Sequence, residues 1–260
     1  MVLVVAPNKS LGQHWLRDRS VLSHIADLAE VQTGDAVLEI GPGLGTLTSE
    51  LLRRTDNVTA VEFDEALARK LPGQFPGKNL KVVNQDVLSF DLSQMPPGYK
   101  VAANVPYYIT SKIVQLLMTA ANKPSIAVLL VQKEVAERLA AKPGDMSILA
   151  VSAQLYADVH LGDVVPAELF TPPPKVDSQV VVLQTREQPL FTDITEKEYF
   201  RVVKAGFSAR RKKLRSSLSG GLGVSKGEIE VLLGRAEISP DVRAEDLTLD
   251  EWYRLAKLVA

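Results

Sequence analysis

The sequence predicts an α/β chain, with a doubly wound, mostly parallel sheet followed by a small all-α C-terminal domain. Three observations predict it. Short β-type runs alternate with helical stretches over much of the chain, a pattern that builds parallel strands covered on both faces. Two late strand runs follow without a long helix between them and close the series as a hairpin-like pair. After Arg186 the strand signal stops, and three helix-capping sequences replace it.

Taken in order, an amphipathic stretch over 21–31 puts Leu22, Ile25, Ala26 and Ala29 on one face and reads as a leading helix. Strands are expected over 36–40, 58–63, 80–84, 101–104 and 126–131, and helices over 46–54, 65–71, 110–121 and 133–141. The closing pair spans 157–164 and 178–185. A parallel series closed in this way is the pattern of the methyltransferase type of doubly wound fold. Beyond it lie Thr195-x-x-Glu198, Ser225-x-x-Glu228 and Thr248-x-x-Glu251. In each, the hydroxyl can accept the N3 amide while the glutamate reaches back to the N-cap amide. The switch at Gln188-Pro189 divides the chain into domains over 1–188 and 189–260.

Composition narrows the function. A net charge of −1 advertises no polyanion partner for the chain as a whole, so any nucleic-acid footprint must be local. The absence of cysteine excludes disulfides, thiolate zinc sites and cysteine nucleophiles, and no metal site is expected. The apolar run over 2–6 is far shorter than a signal-peptide core, and no later segment is long enough to span a bilayer. A cytoplasmic protein without a membrane partner is the expectation.

The strand over 36–40 runs directly into Gly41-Pro42-Gly43-Leu44-Gly45. Glycine permits a sharp strand-to-helix turn and lets the backbone approach a ligand closely. Glu62 ends the next strand, where a carboxylate can bind both ribose hydroxyls, and Asp86 follows the third, placed to accept from an adenine amino group. A glycine-rich turn with two surface acids is the bland alternative. A dinucleotide site is the functional rival, but its Gly-x-Gly-x-x-Gly needs a third glycine where Leu47 stands. The departure favours S-adenosylmethionine.

After the fourth strand comes Asn104-Val105-Pro106-Tyr107, at the sheet edge where ligands bind. The Asn104 amide oxygen and the Val105 carbonyl can accept from the hydrogens of an exocyclic amine, and Tyr107 offers a face for an unstacked base. A strand-ending turn with a core tyrosine is the alternative. Three prolines, Pro172 to Pro174, hold the next distinctive segment extended and present Phe170, either as a second stacking wall or as an anchor under a loop.

Collinear motifs carry a resemblance across nearly the whole chain. They are Lys9-Ser10-Leu11-Gly12-Gln13-His14-Trp15-Leu16, Glu39-Ile40-Gly41-Pro42-Gly43-Leu44-Gly45, Asn104-Val105-Pro106-Tyr107 and Phe170-Thr171-Pro172-Pro173-Pro174-Lys175-Val176-Asp177-Ser178. Two more are Phe207-Ser208-Ala209-Arg210-Arg211-Lys212-Lys213-Leu214-Arg215 and Arg243-Ala244-Glu245-Asp246-Leu247. With them the chain resembles the small-subunit ribosomal RNA adenine dimethyltransferase (KsgA) family. The resemblance implies cofactor contacts at His14, Leu16, Gly41, Glu62, Asp86 and Asn104. Asn104, Tyr107 and Phe170 are the expected catalytic residues on the reading of the acceptor segments above, and the resemblance implies dimethylation of N6 on two adjacent adenosines near the 3′ end of small-subunit ribosomal RNA. It further implies a partly assembled small subunit as partner. A monomer is expected. Where the family usually reads Gly-Gln-Asn-Phe-Leu, this chain has Gly12-Gln13-His14-Trp15-Leu16, so His14 keeps a polar group but changes its shape.

From 201 to 219 the chain carries Arg201, Lys204, Arg210, Arg211, Lys212, Lys213 and Arg215 with no acid. This reads as one basic helical stretch that binds RNA phosphates through Arg210, Arg211, Lys212, Lys213 and Arg215, against the alternative of a solvated helix face. Two other functions compete: a large-subunit adenine methyltransferase of the macrolide-resistance type, and a non-catalytic nucleic-acid-binding factor on the same scaffold. Retention of Glu62, Asp86, Asn104 and Tyr107 argues against the second.

Overall fold

The computed structural model describes residues 12–259; the expectations resting on residues 2–6 and on Lys9, Ser10 and Leu11 lie outside them. The chain divides into two compact units. One comprises the described residues up to Glu137 together with Ala157–Arg186, and the other comprises Arg138–Tyr156 with the residues from Glu187 onward. The division therefore differs from a single break at Gln188-Pro189. The reason is long-range pairing: the Gly144 and Met146 amides both donate to the Glu245 carbonyl, and Met146, Ala150, Val151 and Leu155 enter the core of the second unit.

The first unit is built on a seven-stranded sheet. Its strands are β2 (Ala36–Ile40), β3 (Asn57–Glu62), β4 (Leu80–Asn84), β5 (Lys100–Asn104), β6 (Ile126–Gln132), β7 (Ala157–Val165) and β9 (Ser178–Thr185). They lie in the order β4-β3-β2-β5-β6-β9-β7. The first five are parallel, while β9 runs antiparallel between β6 and β7, pairing Ile126 with Gln184 and Gln132 with Ser178. The apolar runs of β2 and β6 are buried because helices cover both faces of a parallel sheet. Among those helices are α1 (Arg19–Leu28), α2 (Thr46–Leu51), α3 (Glu65–Lys70) and α4 (Thr110–Thr119), while α5 (Lys133–Leu139) follows β6 and contains the boundary between the units. Asp18 starts α1 by accepting from the Ser20 and Val21 amides, and Leu22, Ile25 and Ala26 then face the core. The strand order reverses between β2 and β5, and such a reversal opens a crevice at the carboxyl ends of the strands.

A second, two-stranded sheet pairs β1 (Trp15–Leu16) with β8 (Phe170–Thr171), Leu16 opposite Phe170. It ties the segment ahead of α1 to the proline-rich segment. Two residues carry no periodicity, so the sequence gives no sign of it.

The second unit packs α6 (Ile148–Gln154), α7 (Glu196–Phe207), α8 (Leu214–Leu222), α9 (Lys226–Arg235) and α10 (Leu249–Val259) around a fully buried Trp252. All three capping boxes form, at Thr195, Ser225 and Thr248. Gly206 in α7 is fixed by packing, since a Cβ there would lie 2.3 Å from Trp252 Cη2. Among the described residues no helix is long and apolar enough to cross a membrane.

Candidate active site

The crevice at the carboxyl ends of β2, β3 and β5 is lined by His14, Leu16, Gly41, Glu62, Asp86, Asn104 and Tyr107, with Trp15, Glu39, Phe63, Gln85, Val87 and Tyr108 beside them. Its floor is the glycine turn. Gly41 and Gly43 have φ of 66° and 56°, conformations that strain any residue with a Cβ. The turn is anchored from β3: Glu62 Oε2 accepts from the Gly43 amide at 3.0 Å and Oε1 from the Asp64 amide at 2.8 Å. Glu62 is only 6% exposed, and burial holds its carboxyl above the usual range while these amides pull it back. Asp86 accepts from the Leu88 amide at 2.9 Å and so caps the short turn that follows β4. The expected strand over 58–63 takes in Phe63, but β3 ends at Glu62 and Phe63 stands 59% exposed just beyond it, an apolar face that the hydrophobic pattern alone files as core.

The opposite wall starts at Asn104, the last residue of β5. Its Nδ2 donates to the His14 carbonyl at 3.2 Å, which fixes the amide and leaves Oδ1 as the acceptor. The His14 side chain turns elsewhere: Nδ1 lies 2.7 Å from the Pro172 carbonyl. A carbonyl can only accept, so Nδ1 carries the proton. The His14 ring also lies nearly parallel to that of Tyr107, at 5.8 Å between centroids and 18° between planes. The Tyr107 hydroxyl shares a 2.7 Å hydrogen bond with the Ser178 hydroxyl at the start of β9, which orients the ring. Burial raises the phenol above its ordinary range. Leu16 is buried, and its carbonyl accepts from the Thr46 hydroxyl at 2.9 Å, joining β1 to the start of α2.

Phe170 requires a correction. It does not line the crevice, and it is 2% exposed within the core that contains Leu16, Leu22 and Val180. The proline segment presents it inward because β8 pairs with β1, so in this structure Phe170 is an anchor and not an exposed stacking wall.

The basic segment also differs from its expected form. It is not one helix: α7 ends at Phe207, a turn holds Arg210, Arg211 and Lys212, and α8 begins at Leu214. Nor is all of it unpaired. Lys213 meets Asp241 at 2.8 Å, and Arg215 meets Glu230 at 2.8 Å and Asp241 at 3.7 Å. Arg210, Arg211 and Lys212 are exposed and make no ion pair among the described residues.

Comparison with known proteins agrees with this geometry. The family model described as ribosomal RNA adenine dimethylase matches residues 5–260. A protein of Dehalococcoides mccartyi named ribosomal RNA small subunit methyltransferase A is 42% identical over 252 residues, covering 95% of this chain and 86% of that protein. Among solved structures, a dimethyladenosine transferase from Plasmodium falciparum superposes with a TM-score of 0.80 at 26% identity, covering 93% of this chain and 96% of that one. The 23S rRNA methyltransferase ErmE superposes with a TM-score of 0.75 at 31% identity, covering 94% and 98%. The chain belongs to the ribosomal RNA adenine dimethylase family.

Proposed function

We infer that this enzyme transfers methyl groups from S-adenosylmethionine to N6 of two adjacent adenosines near the 3′ end of small-subunit ribosomal RNA. A single observation carries the reading: one crevice holds both Glu62, poised for a ribose, and Asn104, whose free amide oxygen faces the same space beside the Tyr107 ring. The crevice fits the cofactor. Its glycine turn brings backbone close without Cβ atoms, Glu62 offers the remaining lone pairs of two oxygens, and Phe63 gives an apolar face for adenine. Bound there, S-adenosylmethionine supplies an electrophilic methyl group on a positively charged sulfur.

The chain's own residues do the rest. The N6 lone pair of adenine is delocalised into the ring and is a weak nucleophile. Acceptance of the N6 hydrogens by Asn104 Oδ1 and the Val105 carbonyl favours a pyramidal nitrogen with its lone pair aimed at the methyl group, an interaction that strengthens in the transition state. Tyr107 stacks the flipped base, its ring held by Ser178. Arg210, Arg211 and Lys212 serve RNA phosphates, whereas Lys213 and Arg215 are assigned to pairs within the helical unit. We assign the cofactor chemistry to the sheet unit and RNA contact to the helical unit, in a cytoplasmic monomer that acts on a partly assembled small subunit.

A large-subunit acceptor is the remaining enzymatic reading, and the likeness to ErmE does not separate it, because both chemistries use this fold. The relative named for the small subunit, at 42% identity, favours the small-subunit assignment. Mass mapping of methylated adenosines on subunits from cells with and without the protein tests it. Loss of dimethylation from two adjacent small-subunit adenosines is the expected result; loss from the large subunit overturns the assignment.

A further inference from the structure

Tyr108 has no part in the mechanism above. Two large, exposed hydrophobic side chains line the crevice, Phe63 and Tyr108, and Phe63 is given to the cofactor. Tyr108 belongs to the short 3₁₀ turn Tyr107–Ile109 that leads from β5 into α4. Successive side chains of such a turn point about 120° apart. Tyr107 is held with its hydroxyl on Ser178, while Tyr108 stands at the crevice rim, 63% exposed. Among the described residues the Tyr108 ring stacks on no other ring and its hydroxyl makes no hydrogen bond. Gly12, close enough that a Cβ would lie 3.5 Å from Tyr108 Cδ1, brings only backbone to the ring. Four residues on, in the first turn of α4, Lys112 is exposed and makes no ion pair among the described residues; α4 itself carries no acid.

An exposed aromatic ring beside an unpaired cation is the pairing that holds single-stranded nucleic acid: the ring stacks a base and the cation meets the backbone. The acceptor strand must pass this rim, because one adenosine leaves its stack to enter the crevice while its neighbours stay attached outside. We propose that Tyr108 and Lys112 form a second nucleotide subsite, in which Tyr108 stacks the base next to the flipped adenosine and Lys112 holds a phosphate of the same strand. The occupant is fixed by charge and by continuity: an anionic strand suits a helix without acids, and the subsite opens directly onto the acceptor crevice. With two adjacent adenosines as acceptors, the one outside the crevice lies on Tyr108 while the other is methylated. Each nucleotide in turn is then held in register with Asn104 by its neighbour.

The proposal rests on the small-subunit RNA reading, and the test separates the two. Single-turnover methyl transfer is measured on small subunits reconstituted with intact ribosomal RNA, or with RNA carrying an abasic residue in place of one of the two adenosines. On intact RNA, Tyr108→Ala should raise the subunit concentration giving half-maximal rate by about five- to hundredfold, the loss expected of one stacked base. The abasic RNA should cost the wild type about as much and Tyr108→Ala nothing further, because both changes remove the same contact. Tyr108→Phe and Tyr108→Trp keep a ring and should match the wild type. Lys112→Ala should flatten the log–log salt slope of binding by about 0.7, which the Tyr108 variants leave alone. A merely structural role for Tyr108 makes the two losses multiply, and that result overturns the proposal, as does a Tyr108→Ala enzyme equal to wild type. A slope unchanged by Lys112→Ala overturns the phosphate contact. Should Tyr108→Ala fail to fold, Tyr108→Leu, which keeps apolar bulk without a π-face, takes its place. No transfer by the wild type to intact subunits overturns both readings, whereas transfer without coupling overturns the subsite alone.

Discussion

Glu62→Ala should weaken S-adenosylmethionine binding while leaving the sheet intact. Both carboxylate oxygens already accept a backbone amide, at 3.0 Å and 2.8 Å. Each oxygen retains a second lone-pair site, so two remain for the ribose hydroxyls. A hydrogen bond to a charged group contributes about 1.5–3 kcal/mol, giving about 3–6 kcal/mol for two at full strength. The burial that raises the Glu62 carboxyl shows that its charged form is already poorly solvated, and reaching that state offsets part of the gain. The net loss should therefore sit near the lower end, about 3 kcal/mol, or roughly a hundredfold in Kd. Removing the acceptor also leaves the Gly43 and Asp64 amides to find water, at about 1–3 kcal/mol of stability. Calorimetric titration is the assay, with cooperative thermal unfolding as the check on fold. A Kd within about threefold of wild type in a folded variant would refute the ribose assignment.

Three further outcomes follow from the geometry. Gly206→Ala should lower the urea midpoint, because a Cβ there meets Trp252 at 2.3 Å and overpacking costs about 1–3 kcal/mol; an unchanged midpoint would mean Trp252 is not fixed by that contact. Alanine at Arg210, Arg211 and Lys212 together should flatten the log–log salt slope of subunit binding by about 2–3, whereas alanine at Lys213 and Arg215, which are held in exposed ion pairs, should leave the slope nearly unchanged. Measuring the reverse would exchange the two assignments. Burial pushes the folded Glu39 carboxyl up to about 8 from an ordinary 4.5, so its contribution to stability is whole below the ordinary value and is lost as pH rises towards the folded one. Relative to Glu39→Gln, wild-type stability in chemical denaturation should fall by about 1.4 kcal/mol per pH unit across that window, and equal slopes would mean that Glu39 is ionised throughout.

Much of the fold was legible because its signals are local. The strand runs at 36–40 and 80–84 match β2 and β4, and each capping box carries both of its partners within four residues. What escaped depends on residues far apart in the chain. The start of α8 has no side-chain cap, and α6 belongs to the second unit through the Glu245 carbonyl, about a hundred residues downstream. Phe170 looks like an exposed wall beside three prolines until β8 is seen to pair with β1. The stretch after Arg201 looks free of acids because Glu230 and Asp241 approach Arg215 and Lys213 from further along the chain. At the site, motif order led to one crevice, but Glu39 reads as one more residue of an apolar strand, and only its position reveals an unpartnered carboxyl.

Single-turnover transfer of labelled methyl groups to undermethylated small subunits, at saturating S-adenosylmethionine, tests the central claim most directly when wild type is compared with Asn104→Ala. Wild type should label N6 of two adjacent adenosines near the 3′ end of the ribosomal RNA. Asn104→Ala loses the amide oxygen proposed to orient N6, so transfer should slow by about 10²–10³-fold while docking on the subunit persists through phosphate contacts. An Asn104→Ala enzyme as fast as wild type, or a wild type that transfers no methyl group, would contradict the account.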